Sequence, residues 1–292
     1  TRVVNFGGVL RRLQTVLGYV ARGDLSGLYK RTRFVLREYG WGRRTFIEKP
    51  STYAVLTPPH TLYLGHAIQQ ALARLGLSCE VYTAQTAPDF DRKGAPDFYF
   101  VIAAQTFKRL PAGERRVAFQ VEQGVSDRWF DRRYLRILEE SRAVFDYSRL
   151  NLTFLSERGI AYPHVYYVPA GGLSEYSRGA AQDDGRIAQV LFYGDASAPR
   201  RKAYLEALQA RFDVRVLTNT FGSQVQEAVA QSAVVVNIHF YENALLETTR
   251  IFECLSLGAH VISETAQDVS DYPGLEAVVD FVPVGDVDAM VD

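Results

Sequence analysis

The residues best spaced for chemistry lie between Val234 and Glu264, in the stretch VVVNIHFYENALLETTRIFECLSLGAHVISE. Val234 to Ile238 reads as a buried strand. The loop after it opens a helical pattern from Glu247 to Leu257 that stops at Gly258, and His260 to Ser263 reads as the next strand. A helix N-terminus offers unpartnered backbone N–H groups and the positive end of the helix dipole. The amides of Ala244, Leu245, Leu246 and Glu247 are therefore placed to hold a diphosphate without a metal. Further along the same helix, Glu253 offers a carboxylate to ribose hydroxyls, and Asn237 and His239 sit on the strand that feeds the loop. The plainer reading of Glu247, Arg250 and Glu253 is an ion pair and cap on a helix surface.

A second cluster is Tyr193-Gly194-Asp195 followed by Arg200-Arg201-Lys202. A strand ends in a glycine turn, and three cations stand at the start of a helix, where they oppose the dipole. They either neutralise an anion in the turn or form a solvated basic surface. The third cluster is Phe119 to Gly124 with Val144 to Asn151, polar residues set directly after two strands. Glu122 and Asp146 are candidates for orienting a reacting hydroxyl, while Ser148 and Asn151 are suited to capping the next helix. His60, after Thr57-Pro58-Pro59, joins Glu122 and Asp146 as a choice of general base. No GxxxxGK[ST] or GxGxxG loop is present, so nucleoside triphosphate hydrolysis and dinucleotide redox chemistry lack support, and no metal is expected.

These clusters need a scaffold, and apolar periodicity supplies it. Strands are predicted at Tyr53 to Leu56, Glu80 to Tyr82, Phe98 to Ala103, Arg116 to Phe119, Ala143 to Asp146 and Val165 to Val168, with helices at Leu62 to Leu75, Tyr134 to Glu140 and Leu152 to Arg158. The rhythm resumes with strands at Val190 to Tyr193 and Val214 to Leu217 and helices at Arg201 to Arg211 and Gln224 to Gln231. Such alternation builds parallel sheets covered on both faces. The expected division is a first α/β domain over 51–173, a linker over 174–185, within the Gly- and polar-rich Gly171 to Gly185, and a second α/β domain over 186–292. Asp286 to Asp288 begins a further helix, and the end at Asp292 suggests a domain cut from a longer polypeptide.

Ile251-Phe252-Glu253-Cys254-Leu255-Ser256-Leu257-Gly258 resembles the donor-site segment of retaining, two-domain GT-B glycosyltransferases, of the bacterial family 4 or family 1-like polysaccharide type. The resemblance implies two Rossmann-like domains facing a cleft, with Glu253 as ribose ligand, Glu247 as the donor-sugar contact and Arg200, Arg201 and Lys202 at the diphosphate. It departs at the first glutamate of the pattern, where Leu245 stands; Glu247 precedes Glu253 by six positions and Glu242 by eleven. It further implies transfer from a nucleotide-diphosphate sugar, as substrate and without a cofactor, to a hydroxyl of a glycan or lipid-linked glycan in bacterial surface polysaccharide synthesis. An inverting enzyme of the same fold, a nucleotide-sugar epimerase and a non-catalytic glycan- or nucleotide-binding domain of a larger synthase are the alternatives.

The 292 residues carry 33 basic and 33 acidic side chains and are 47% hydrophobic, an ordinary globular composition long enough for two domains. Cys79 and Cys254 show neither a disulfide framework nor a zinc spacing. No apolar run reaches the roughly 18 residues of a membrane span, so a cytoplasmic protein is expected. Its neutrality hides an excess of Lys and Arg before Pro50: 11 of them against three acidic residues. Val9, Leu10, Leu13, Val16, Leu17 and Val20 recur there at helical spacing, so 1–50 reads as a basic amphipathic segment, either a packing helix or a peripheral contact with the inner face of the membrane. Nucleic acid is not an expected partner, because the basic segment lacks interleaved stacking aromatics.

Overall fold

The computed structural model describes residues 17, 19–25, 28, 29, 32, 50–174, 176 and 187–292. Within them, short apolar runs rich in Val, Phe and Tyr form two sheets whose neighbouring strands all pair parallel. The first has β1 (Tyr53–Leu56), β2 (Cys79–Tyr82), β3 (Phe98–Ile102), β4 (Arg116–Gln120), β5 (Ala143–Asp146) and β6 (Val165–Tyr167) in the order β2-β1-β3-β4-β5-β6. Helices α1 (Leu62–Arg74), α2 (Arg132–Glu140) and α3 (Arg149–Glu157) cover it. The second has β7 (Ile187–Tyr193), β8 (Val214–Leu217), β9 (Ser232–Asn237), β10 (His260–Glu264) and β11 (Asp280–Val282) in the order β11-β10-β9-β7-β8. Its helices are α4 (Pro199–Gln209), α5 (Ser223–Gln231), α6 (Thr248–Ser256) and α7 (Val287–Val291). This is the α/β architecture of two Rossmann-like sheets expected from the alternation of patterns.

Period-two side chains of the first sheet feed two separate cores. Ala54, Leu56, Tyr99, Val101, Ala118 and Val144 pack with Tyr134 and Leu138 of α2 and Leu155 of α3. Val55, Ile102 and Phe119 face the other way, onto Leu64 of α1. Each large apolar side chain so buried stabilises the fold by about 1.5–3 kcal/mol, which is why strands only four or five residues long hold their register. Helix starts follow local rules: the Asp131 carboxylate accepts from the Tyr134 amide at 2.7 Å to cap α2, and Pro199 occupies the first turn of α4. Asp286 caps α7 in the same way, so a helix does begin where the sequence indicated. Differences from the expected elements are shifts at their ends: α4 begins at Pro199 and α3 at Arg149 rather than two and three residues later. Strand β11 was not anticipated, its three residues Asp280–Val282 being too short a run to show a period.

The order of strands fixes where a ligand can enter. In the first sheet the chain leaves β1 for β2 on one side and returns to β3 on the other; in the second it does the same around β7, with β8 on one side and β9 on the other. Loops at such switch points diverge and leave a crevice at the carboxyl ends of the strands. The expected basic segment over 1–50 and the linker over 174–185 fall mostly outside the described residues. Of the former, the described residues include a helical turn in which Tyr19 is buried and Leu17 and Val20 are exposed. Among the described residues no helix is long and apolar enough to cross a membrane.

Candidate functional site

The two crevices open onto one cleft of about 490 Å³. From the first sheet it receives Pro59 to Leu62, after β1, Val121 to Gln123, after β4, and Tyr147, after β5. From the second it receives Tyr193 to Asp195 at the end of β7, Thr218 to Gly222 after β8, and Leu246 to Arg250 with Glu253 on and before α6. Of the residues singled out in the sequence, His60, Glu122, Gly194, Leu246, Glu247 and Glu253 line this one cleft. The Thr218 to Gly222 loop lines the cleft and was left out by the patterns, while Tyr193 and Arg250, read there as the end of a strand and as a surface ion-pair partner, line it as well. The position of the loop, directly after a strand on the ligand side of a parallel sheet, was the available signal.

On the second-sheet wall three charged side chains cluster, Arg201 buried and Glu247 and Arg250 largely so. Glu247 pairs with Arg250 at 2.7 Å and with Arg201 at 3.2 Å. Arg201 also donates to the carbonyls of Ile238 at 2.9 Å and Asp195 at 3.0 Å. Arg250 lies over the Tyr193 ring at 5.1 Å and donates to Asn237 Oδ1 at 2.9 Å. Asn237, itself fully buried, donates in turn to Ser263 Oγ at 2.9 Å, so its role is to aim Arg250. Burial by itself raises the Glu247 carboxyl, but the two guanidiniums outweigh it and hold the group below its ordinary range. The same burial pushes Arg201 down to about 10. Both guanidiniums face Gly194, with the exposed Asp195 carboxylate next to them at the same turn: a Cβ at Gly194 would stand 3.1 Å from Arg250 Nη2 and 3.5 Å from Arg201 Nη1. Gly194 has φ +139°, a conformation other residues rarely adopt, so both backbone shape and open space at this turn depend on glycine. The helix-surface reading of Glu247 and Arg250 holds as to the pair and fails as to the surface, since their side chains are only 16% and 17% exposed.

Glu253 lies on α6 beneath this cluster and accepts from the Tyr193 hydroxyl at 3.2 Å. Burial raises its carboxyl to about 7. The remaining predicted donor residues are elsewhere. Arg200 is turned onto Glu264 in a two-pronged ion pair and also donates to the His239 carbonyl at 3.1 Å. Lys202 is exposed and outside the cleft lining. His239 is fully buried behind the cluster, with neither ring nitrogen hydrogen-bonded. Helix α6 starts at Thr248, one residue later than expected, and the amides ahead of it already have partners. Ala244 N donates to Tyr241 O at 3.2 Å, Leu245 N to Gln123 Oε1 at 2.9 Å and Leu246 N to Asp268 Oδ1 at 2.9 Å. Of the four expected phosphate-binding positions, only Leu246 and Glu247 line the cleft.

On the opposite wall the motif residues act as a scaffold for one loop. Gln120 Nε2 donates to Asp146 Oδ2 at 2.7 Å and to the Glu122 carbonyl at 2.8 Å. Asn151 donates to the same carbonyl at 2.9 Å and to Asp146 Oδ1 at 3.0 Å, and accepts from Gly124 N at 2.8 Å. Asp146 is fully buried within this network, raised by burial to about 7, and does not line the cleft. The loop so held presents Glu122, whose carboxyl accepts from Gln105 Nε2 and is raised by burial to about 7, and Gln123. Gln123 exchanges two hydrogen bonds with the Leu245 backbone across the cleft, at 2.9 and 3.2 Å. Two Asp-x-Asp triplets, Asp89 to Asp91 and Asp286 to Asp288, lie outside the cleft lining, the first paired with Arg109 at 3.2 and 3.9 Å. Among the described residues no group of three or more His, Cys, Asp or Glu is placed to hold a metal ion.

No protein-family model matches the chain, and no curated protein sequence does. Among solved structures it is similar to Anabaena Alr3699/HepE in complex with UDP and glucose, with a TM-score of 0.49 and 12% identity over 83% of this chain and 88% of that one. It is similar to the DNA-modifying β-glucosyltransferase, with a TM-score of 0.44 and 12% identity over 82% and 87% of the two chains. The lipopolysaccharide outer core galactosyltransferase WaaB in its apo form gives a TM-score of 0.40 and 11% identity over 82% and 88%. At such identities the likeness concerns the course of the chain and does not decide what the cleft binds.

Proposed function

We propose that this chain is a glycosyltransferase that moves a sugar from a nucleoside-diphosphate donor to a hydroxyl of a glycan or lipid-linked glycan. The observation that carries the reading is the pair of guanidiniums at Gly194, Arg201 buried and Arg250 largely so, both joined to Glu247 and facing the glycine turn at the carboxyl end of a switch-point strand, beside the start of a helix. A pair of guanidiniums held by carbonyls and an amide is preorganised for a diphosphate, and it stabilises the charge that develops as the diphosphate departs. That is the task a divalent ion performs in metal-dependent transfer, so the proposal is of a metal-independent reaction. Glu253 receives the ribose hydroxyls, and Glu247 holds the arginines apart and faces the donor sugar. The first-domain wall, with Glu122, Gln123 and His60, is assigned to the acceptor.

Retention is inferred from the resemblance of Ile251 to Gly258 to the retaining enzymes; the leaving diphosphate itself would then assist the incoming hydroxyl. Transfer with inversion is the second reading, favoured by one observation. Glu122 faces the donor wall from the other domain with its carboxyl raised to about 7, the property expected of a general base working near neutral pH. Work at the cytoplasmic side of a membrane in surface polysaccharide synthesis extends the proposal from the same resemblance. The test is a thermal-shift panel with UDP, GDP, dTDP and CDP, each with and without magnesium. A ligand at 100 times its dissociation constant adds about 2.7 kcal/mol of stability. Stabilisation by one diphosphate without metal is expected, and indifference to all four removes the proposal. Anomeric analysis of the product then separates retention from inversion.

A further inference from the structure

Tyr63 is the second residue of α1, directly after the Pro59 to Leu62 wall of the cleft, and is only 2% exposed. Its hydroxyl lies 2.8 Å from Ser256 Oγ, 2.8 Å from the Gly171 carbonyl and 3.1 Å from the Phe252 carbonyl. Ser256 and Phe252 belong to α6, the helix that carries Arg250 and Glu253, whereas Gly171 belongs to the chain leaving the first sheet. Ser256 Oγ also accepts from the Leu173 amide at 2.8 Å. The Tyr176 ring closes the joint, edge-on to Tyr63 at 5.2 Å, with its hydroxyl in reach of His66 on α1 and accepting from Gln226 on α5 at 3.1 Å.

The proton count makes this joint directional. The Leu173 amide is a donor only, so Ser256 Oγ accepts there, and the arrangement that also satisfies Tyr63 has Ser256 giving its own proton to the phenol oxygen, although either hydroxyl can donate. The Tyr63 hydroxyl then has one proton for two carbonyls, Gly171 in the connector and Phe252 in α6. One hydroxyl therefore ties three bodies together: the first-domain wall of the cleft, the donor helix and the connecting chain. Its phenol is raised by burial to about 12 and keeps that proton through the neutral range.

We infer that Tyr63 is a positioning residue for transfer, setting through Ser256 the depth at which α6 presents the donor to the first-domain wall. The inference rests on the function proposed above. It assigns Tyr63 no contact with substrate, since every group proposed to touch the nucleotide belongs to the second sheet and its loops. The full chain with Tyr63→Phe, and separately with Ser256→Ala, tests it. The expected result is a nucleoside-diphosphate dissociation constant within twofold of the wild type, with kcat lowered tenfold or more. Amide exchange over residues 171–174 is expected to speed up in both variants while the sheets stay as protected as before. Unchanged kcat in Tyr63→Phe overturns the inference, and so does a loss of nucleotide affinity in step with kcat, which marks a merely structural role. If the wild-type chain binds no nucleoside diphosphate, the proposed function fails; the joint is then judged by amide exchange alone, and unchanged exchange over 171–174 overturns it.

Discussion

Glu247 sits between two arginines, and replacing it with glutamine separates what the pair does for the fold from what it does for a ligand. In the unliganded protein Glu247→Gln leaves the Arg201 and Arg250 guanidiniums, 3% and 17% exposed, without their carboxylate. Removing one partner of a buried pair costs about 3–5 kcal/mol. The remaining bonds of Arg201 to two carbonyls and of Arg250 to Asn237 place the cost at the lower end, about 3 kcal/mol. At about 2 °C per kcal/mol for a chain of this size, the melting temperature falls by roughly 6 °C. A bound diphosphate reverses the balance. It supplies the missing negative charge and no longer meets the repulsion of Glu247, which at a separation of about 5 Å and an effective dielectric constant near 20 amounts to about 3 kcal/mol before screening by salt. Half of that survives as a tenfold gain in affinity. Calorimetric titration with the diphosphate should show tighter binding to Glu247→Gln than to the wild type, and a larger ligand-induced rise in melting temperature. Arg250→Met should do the opposite, losing a charge-assisted hydrogen bond worth about 1.5–3 kcal/mol, or about 10- to 150-fold in affinity. The nucleoside without phosphates serves as control and should bind all three proteins alike. If Glu247→Gln weakens the diphosphate as much as Arg250→Met does, the reasoning from charge balance is refuted. Weakening of the nucleotide sugar alone, with the diphosphate unaffected, assigns Glu247 to the sugar.

Gly194→Ala should lower diphosphate affinity at least tenfold while leaving the unliganded melting temperature only a few degrees lower, because its Cβ would meet Arg250 in a conformation that already disfavours a side chain; circular dichroism melts beside titration calorimetry check it, and unchanged affinity contradicts the placement of the phosphates. Glu253 has a carboxyl raised to about 7 that must ionise to accept ribose hydroxyls, so nucleotide binding should release up to one proton and strengthen from pH 6 to pH 8. Titrations in buffers of different ionisation enthalpy measure that proton, and Glu253→Gln should abolish the slope. The unliganded protein should show the reverse trend in stability. Glu122, Asp146 and Glu253 are all raised to about 7, so between their unfolded values near 4 and about 7 the folded chain holds more protons than the unfolded one. Stability then falls as pH rises through 7, and a melting temperature that stays level or climbs from pH 5.5 to pH 8 contradicts it. Glu264, held down to about 2 largely by Arg200 against the opposing effect of burial, and Glu247, also lowered, contribute stability that is lost only below their unfolded values near 4.5.

The elements were legible because each is a local property. Short Val-, Phe- and Tyr-rich runs separated by amphipathic helices read as βα repeats whatever the tertiary contacts, and the errors were shifts at the ends of helices and strands, such as β7 beginning at Ile187 rather than Val190, and the missed β11, where three residues carry no period. The walls of the cleft were legible for the same reason, since His60, Glu122, Gly194 and Glu247 each follow a strand that could be placed in advance. What could not be read is the partnering of charges. Arg200, Arg201 and Lys202 are adjacent in sequence and equivalent by composition, yet one helical turn sends Arg200 to Glu264 on β10, Arg201 inward to Glu247 and Lys202 to solvent.

The same limit explains why Arg250 reads as a surface residue and acts as a buried one. Its depth is set by what packs over α6, namely Tyr193 from β7, Asn237 from β9 and the Gly194 turn, and all three lie at least 13 residues away along the chain. A carboxylate and an arginine three residues apart on a helix are worth a few tenths of a kcal/mol in water. The same pair enclosed by strand ends is joined by Arg201, and both guanidiniums face the Gly194 turn. Asn237 measures how much of this is built for binding. Its Oδ1 serves Arg250 and its amide serves Ser263, so replacing it with Leu, of similar volume, removes the aim of Arg250 while leaving the ion pair with Glu247 in place. Asn237→Leu should therefore weaken diphosphate binding by about 1 kcal/mol or more, roughly fivefold upward, in the manner of a lost buried hydrogen bond. Affinity equal to the wild type in a folded Asn237→Leu protein would show that Arg250 needs no aiming and that Glu247 alone sets its position.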